Sequence, residues 1–129
     1  MNKILFSEDT LITIADSTRK QIADIHIGDR IISADGSVYI VTKLAMAATN
    51  RICIITTESG KKLKFAESST IQSNNISVYS EMNLNIKEIL TNSGTEKITN
   101  IIEDEYDGRV FAMYLNKDAY VIANDFVVK

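Results

Sequence analysis

Proline is absent from the 129 residues, and cysteine and histidine occur once each, as Cys53 and His26. Without proline, turns must rest on Gly, Asn and Asp, which reach positive φ or hydrogen-bond their own backbone. A single cysteine excludes an internal disulfide and is compatible with a reducing compartment; the cytoplasm is the expected location only because no signal peptide is seen. One Cys and one His cannot build a tetrahedral zinc site of those two residue types, and any Cys–His catalytic pair would have to be Cys53 with His26. No metal or cofactor is expected. No apolar run is long enough to cross a bilayer as a helix. Met1–Ser7, with one lysine and a short apolar run ahead of Glu8, is too short for a secretory signal. A net charge of −3 and a pI near 5.1 supply no general attraction to nucleic acid or to an anionic membrane.

What is present points to one domain over residues 1–129. The hydrophobic fraction of 45% and charged fraction of 24% are those of a globular protein able to bury a core, and a monomer is expected. Strand signals dominate. Ile31–Ile32, Val38–Thr42, Ile52–Thr57, Lys62–Phe65, Ile98–Ile102, Arg109–Leu115, Tyr120–Ala123 and Phe126–Val128 are rich in β-branched residues. Asp35-Gly36, Ser59-Gly60, Ser93-Gly94, Asp107-Gly108 and Asn116–Asp118 separate them and read as turns. This spacing predicts an all-β sandwich or barrel rather than βαβ units. Helical periodicity is weak, with short turns expected only around Ile22–Ile25 and Met82–Ile86. Glu67–Ser80, polar and rich in Ser and Asn, is the least structured stretch and reads as a long connection between the halves.

The two halves of the chain match. Ile31-Ile32-Ser33, Gly36-Ser37 and Val41-Thr42-Lys43-Leu44 resemble Ile89-Leu90-Thr91, Gly94-Thr95 and Ile98-Thr99-Asn100-Ile101. The offset is 58, with a one-residue slip after the glycine, and Arg51-Ile52 falls opposite Arg109-Val110 at the same offset. Leu63 and Phe65 fall opposite Val121 and Ala123. A pseudo-two-fold β domain is predicted, with halves over roughly 5–66 and 81–128 sharing one core.

The order of the blocks resembles the Hint fold, the horseshoe of β-hairpins shared by inteins, bacterial intein-like domains and hedgehog autoprocessing domains. Leu5–Ile12 resembles the family's opening segment, and Ile22–Ile32 (IADIHIGDRII) its I-x-D-I-x-x-G-D-x-V segment. Thr57–Leu63 is similar to the hairpin leading to a Thr-x-x-His motif, and Tyr106–Phe111 with Tyr120–Asn124 to the blocks before the C-terminal junction. The resemblance implies self-cleavage chemistry. A first-residue Cys or Ser attacks the carbonyl before it, Thr-x-x-His polarises that amide and protonates its leaving nitrogen, and a final His-Asn pair cleaves by Asn cyclisation.

At every one of those positions this chain departs from the pattern. Leu5 stands at the nucleophile position, Ala66-Glu67-Ser68-Ser69 at Thr-x-x-His, and Lys129 at the penultimate His, with no Asn following. Only Met1–Ile4 precede Leu5, so little would be released. The expected function is a degenerate intein-like domain retained as a scaffold or binding module, with a protein partner or flanking domains that the sequence does not identify. The alternative is residual autoprocessing, with Ser7 attacking the Phe6 carbonyl two residues late. Against it stand local turn hydrogen bonds for Ser7 and Asp9, and the weakness of an unassisted hydroxyl near neutral pH. A third reading is an unrelated β-sandwich. A Hint fold would instead bring Leu5 and Ser69 together near Asn124–Lys129.

Other residues read as structural. Cys53, in the apolar run Arg51–Ile55, reads as a small buried hydrophobe. His26 is expected on the solvent side, facing away from Ile25 and Ile27. Glu103-Asp104-Glu105 with Asp107 lacks calcium-loop spacing and reads as a solvated hairpin end. Lys61, Lys62 and Lys64 are too few, in an acidic chain, to bind nucleic acid.

Overall fold

The computed structural model describes residues 4–66, 70–73, 76–79 and 88–129. Twelve strands fall within them: β1 (Phe6–Ser7), β2 (Leu11–Thr13), β3 (Arg19–Gln21), β4 (Arg30–Ile32), β5 (Val38–Thr57), β6 (Lys62–Ala66), β7 (Thr70–Ser73), β8 (Ile76–Tyr79), β9 (Glu88–Thr91), β10 (Gly94–Leu115), β11 (Val121–Ala123) and β12 (Phe126–Val128). Among the described residues a single 3-10 turn, Ile22–Asp24, sits where a short turn is expected. Ten strands form one antiparallel sheet in the order β3-β2-β11-β12-β9-β10-β1-β6-β5-β4, and β7 pairs with β8 separately. The all-β expectation holds.

Two strands organise everything else. β5 has 20 residues and β10 has 22, and they pair antiparallel from Ile98↔Thr57 to Leu115↔Val41. The sequence reading broke each of these into two. In β5 the link Leu44–Asn50 contains no glycine, so nothing forces a reversal and the chain stays extended. In β10 the predicted Asp107-Gly108 turn is instead a β-bulge. Glu105 faces Arg51 and Gly108 faces Thr49, so β10 carries one extra residue there and bends without reversing. A Cβ on Gly108 would lie 2.9 Å from the Tyr106 ring carbon Cζ and 3.0 Å from Glu8 Oε1, so any side chain there would displace the ends of both.

β5 also closes a ring. Over Ile52–Thr56 one edge pairs with β6 and the other with β10, while β1 joins β6 to β10 through Phe6↔Phe65 and Phe6↔Phe111. Around Phe6, Phe65 and Cys53 each strand is paired on both sides. The apolar residues facing into the ring are buried: Phe65, Leu63, Ile55 and Cys53 have no exposure and Phe6 has 3%. Burial of each large side chain stabilises the fold by roughly 1.5–3 kcal/mol. Ile12, Ile31, Ile89, Phe126 and Val128 extend the same core under the remaining strands.

Two other expectations change. Glu67–Ser80, read as a long connection between the halves, carries the β7–β8 pair in register from Thr70↔Tyr79 to Ser73↔Ile76; its Ser- and Asn-rich composition masks the strands. Ile27, placed opposite His26 on the inward side, is 68% exposed. Gly28, at φ +94°, turns the chain immediately afterwards and ends the simple alternation. Met82–Ile86 lies outside the described residues.

Candidate functional site

β1 and the end of β6 create the first contact of the site. The backbone N–H of Ala66 donates to the carbonyl of Leu5 at 2.8 Å, bringing two of the singled-out positions together. Immediately upstream, Ile4 is 4% exposed and belongs to the apolar core. β12 then delivers Lys129 to the same region. Lys129 lines a cavity of about 20 Å³ with Ile4, Phe6, Met113, Leu115, Ala119 and Val121, room for one water molecule at most. Its Nζ donates to Asp118 Oδ2 at 3.1 Å and lies 5.2 Å from the Tyr120 ring centre. Leu5, Ala66 and Lys129 thus lie in one region. Ser69 falls outside the described residues.

The chemistry available there is limited by residue type. Leu5 and Ala66 carry no ionisable or nucleophilic atom. The Lys129 ammonium is committed to Asp118, and an ammonium has donors but no acceptor.

Ser7 sits close by in a knot of short-range bonds. Its Oγ donates to Asp9 Oδ1 at 2.7 Å and lies 3.0 Å from Thr10 Oγ1, while the Thr10 N–H donates to the Ser7 carbonyl at 3.0 Å. Ser7 is 1% exposed and Thr10 is fully buried. Its main chain is tied into β1, with Ser7 opposite Val110 and Phe6 between Phe111 and Phe65. Attack on the Phe6 carbonyl would require twisting a peptide held in ladders on both sides.

The remaining candidates lie elsewhere. Cys53 is fully buried in β5 opposite Phe65. His26 is exposed, and its backbone N–H donates to Asp29 Oδ2 at 2.8 Å. Lys20 is also on Asp29, and these hydrogen bonds, led by the one from the His26 backbone, hold the Asp29 carboxyl below its usual range. Glu103 pairs with Arg51 at 3.3 Å on an exposed face. Among the described residues, no three His, Cys, Asp or Glu side chains are placed to hold a metal ion.

Two polar features escaped the sequence reading. Glu96 accepts from Lys61 Nζ at 2.6 Å, Ser59 Oγ at 2.6 Å and Thr91 Oγ1 at 3.2 Å. These donors, Lys61 foremost, lower its carboxyl to about 2. No local pattern links residues so far apart. The second feature is Asn124. It stands with Asp125 at positive φ in the two-residue turn between β11 and β12. Its side-chain amide accepts from the Leu11 N–H at 2.7 Å and donates to the Lys62 carbonyl at 3.0 Å. An Asn-Asp pair between two apolar triplets is a legible hairpin signal; the bridge it makes is not.

No protein-family model matches the chain, and no curated protein matches it in sequence. Solved structures do match in shape. The DnaB intein from Synechocystis sp. PCC 6803 superposes with a TM-score of 0.77 at 20% identity, covering 97% of this chain and 96% of that one. The gp41-1 intein gives 0.74 at 20% identity, with 100% and 98% covered. The MchDnaB-1 intein gives 0.78 at 11% identity, with 95% and 98% covered. The chain therefore has the all-β, Hint-like fold of inteins.

Proposed function

We propose, starting from a fold shared with inteins, that this chain is a degenerate intein-like domain of the bacterial type, without splicing or self-cleavage activity, that serves as a scaffold or binding module. The observation that carries this reading is the junction of Leu5 with Ala66 beside Lys129. The chain ends meet as self-cleavage would need, with an isobutyl group, a methyl group and a paired ammonium in place of a nucleophile, a polariser and a base. Ile4 supports it further, because a residue packed into the core is poorly placed to leave. No helix among the described residues is long and apolar enough to cross a membrane, and the proposed location is the cytoplasm. The domain is one unit over 1–129, with halves 5–66 and 81–128 derived by duplication. In its support, β4–β5 and β9–β10 are both hairpins turned at a positive-φ glycine, Gly36 and Gly94. Its partner is a protein or a flanking domain of the same polypeptide.

The short Ser7–Asp9 hydrogen bond favours one other reading, a slow acyl shift at Phe6–Ser7 with Asp9 as acceptor of the hydroxyl proton. Burial of Ser7 and the paired Phe6 backbone oppose it. The test is the intact mass of the chain with short reporter segments fused to both ends, followed for several days with and without thiol and hydroxylamine. An unchanged mass is expected. Cleavage at Phe6–Ser7, or after Lys129, overturns the inactive reading.

A further inference from the structure

Three hairpin turns meet at one end of the molecule: Glu58–Gly60 between β5 and β6, Asn92–Ser93 between β9 and β10, and Asn124–Asp125 between β11 and β12. Side chains, more than apolar packing, tie them together. Glu96 reaches the first turn through Ser59 and Lys61, and the second through Thr91. Asn92 donates to Asp125 from its backbone N–H at 2.8 Å and from its side chain at 3.2 Å. Asn124 donates to the Lys62 carbonyl. The Glu58 N–H donates to the Lys97 carbonyl at 2.9 Å and extends the β5–β10 pairing into the cluster.

We propose that these links form a charge-held latch, with Glu96 as its central acceptor, whose release lets the turn cluster open locally while the apolar ring stays closed. The Glu96 side chain is 10% exposed and that of Lys61 18%, so water cannot readily replace either partner. Among the described residues, Lys61 is the charged group in contact with Glu96; elsewhere in the turn cluster Glu58 accepts from the Lys97 N–H at 3.3 Å and Asp125 pairs with Arg19 at 3.3 Å. Lys61 is thus the cation that holds the Glu96 carboxylate. Turn residues contribute little to the core, whereas Ile55, Leu63 and Phe65 in the adjoining strands are fully buried. Segments with few buried apolar contacts open first, and here the latch sets how readily.

Because the Glu96 carboxyl is lowered to about 2, the latch holds fully above the ordinary carboxylate range. It weakens as pH falls from about 4.5 toward about 2. Amide exchange measured residue by residue on the whole chain tests the idea. Glu96→Gln and, separately, Lys61→Met should each speed exchange at Glu58, Gly60, Asn92 and Lys97 by about tenfold or more. The amides of Cys53–Ile55 and Phe65 should be unaffected. Equal acceleration at both sets, or none at the turns, overturns the proposal. Should either variant fail to fold, the unaltered chain gives the same decision. On acidification, turn amides must lose protection before ring amides once intrinsic rates are corrected, and simultaneous loss refutes the latch.

Discussion

Replacing Ser7 with alanine separates the two readings of the N-terminal segment in a single protein. The substitution removes a hydroxyl that donates to Asp9 at 2.7 Å and lies 3.0 Å from Thr10 Oγ1, at a residue 1% exposed. A hydrogen bond to a carboxylate contributes about 1.5–3 kcal/mol and a neutral one about 0.5–1.5 kcal/mol. Asp9 lies at the surface, where water restores part of its loss, so the low end applies to it. Thr10 is fully buried, and its hydroxyl loses this partner without solvent to replace it. The sum is about 2 kcal/mol of destabilisation, or a fall in Tm of roughly 8 °C for a domain of this size. Urea unfolding followed by circular dichroism measures it, with the midpoint expected to drop at constant m. The end-tagged protein, followed by mass in parallel, should stay intact at every time point both unaltered and as Ser7→Ala. Unchanged stability refutes the structural role given to the Ser7–Asp9–Thr10 knot. A cleavage product that disappears with Ser7→Ala refutes the inactive reading instead.

Asn124→Ala should cost more than Asn124→Gly, by about 1 kcal/mol in urea unfolding. Both lose the bridge between Leu11 and Lys62, but only alanine is strained at φ +47°. Gly108→Ala should destabilise by about 1 kcal/mol or less, because the ends of the Tyr106 and Glu8 side chains can move off the new methyl, and Tyr106→Ala in the same chain should recover part of it. Leu63→Ala, at a site with no exposure, should cost about 2–5 kcal/mol. Tyr106 should be late to ionise in an ultraviolet tyrosinate titration, because burial, with the Glu8 and Asp9 charges, raises its hydroxyl above the ordinary tyrosine range. Its contribution to stability is complete below the ordinary value of about 10 and is lost as pH rises through the folded value, and Tyr106→Phe should remove that late component.

Much of the fold was legible because its signals are local. β-branched runs around Cys53 and Phe65 declare strands, and glycines at Gly36 and Gly60 sit where positive φ is required. The burial of Cys53 follows from its apolar neighbours. A dipeptide, however, specifies only a local bend. Ser59-Gly60 reverses the chain, whereas Asp107-Gly108 becomes a bulge, because β5 continues past it as a partner and keeps β10 extended.

The candidate site divides in the same way. Sequence alone determined which chemical groups occupy it, since leucine at position 5 and lysine at position 129 limit the available chemistry in any fold. Only the tertiary structure decided that the Leu5 carbonyl meets the Ala66 amide, that Lys129 comes back beside Ile4, and that Glu96 binds Lys61 across 35 residues of chain. Those contacts depend on closure of the β5–β6–β1–β10 ring and on the convergence of three turns. They arise from long-range strand pairing, which no local residue pattern encodes.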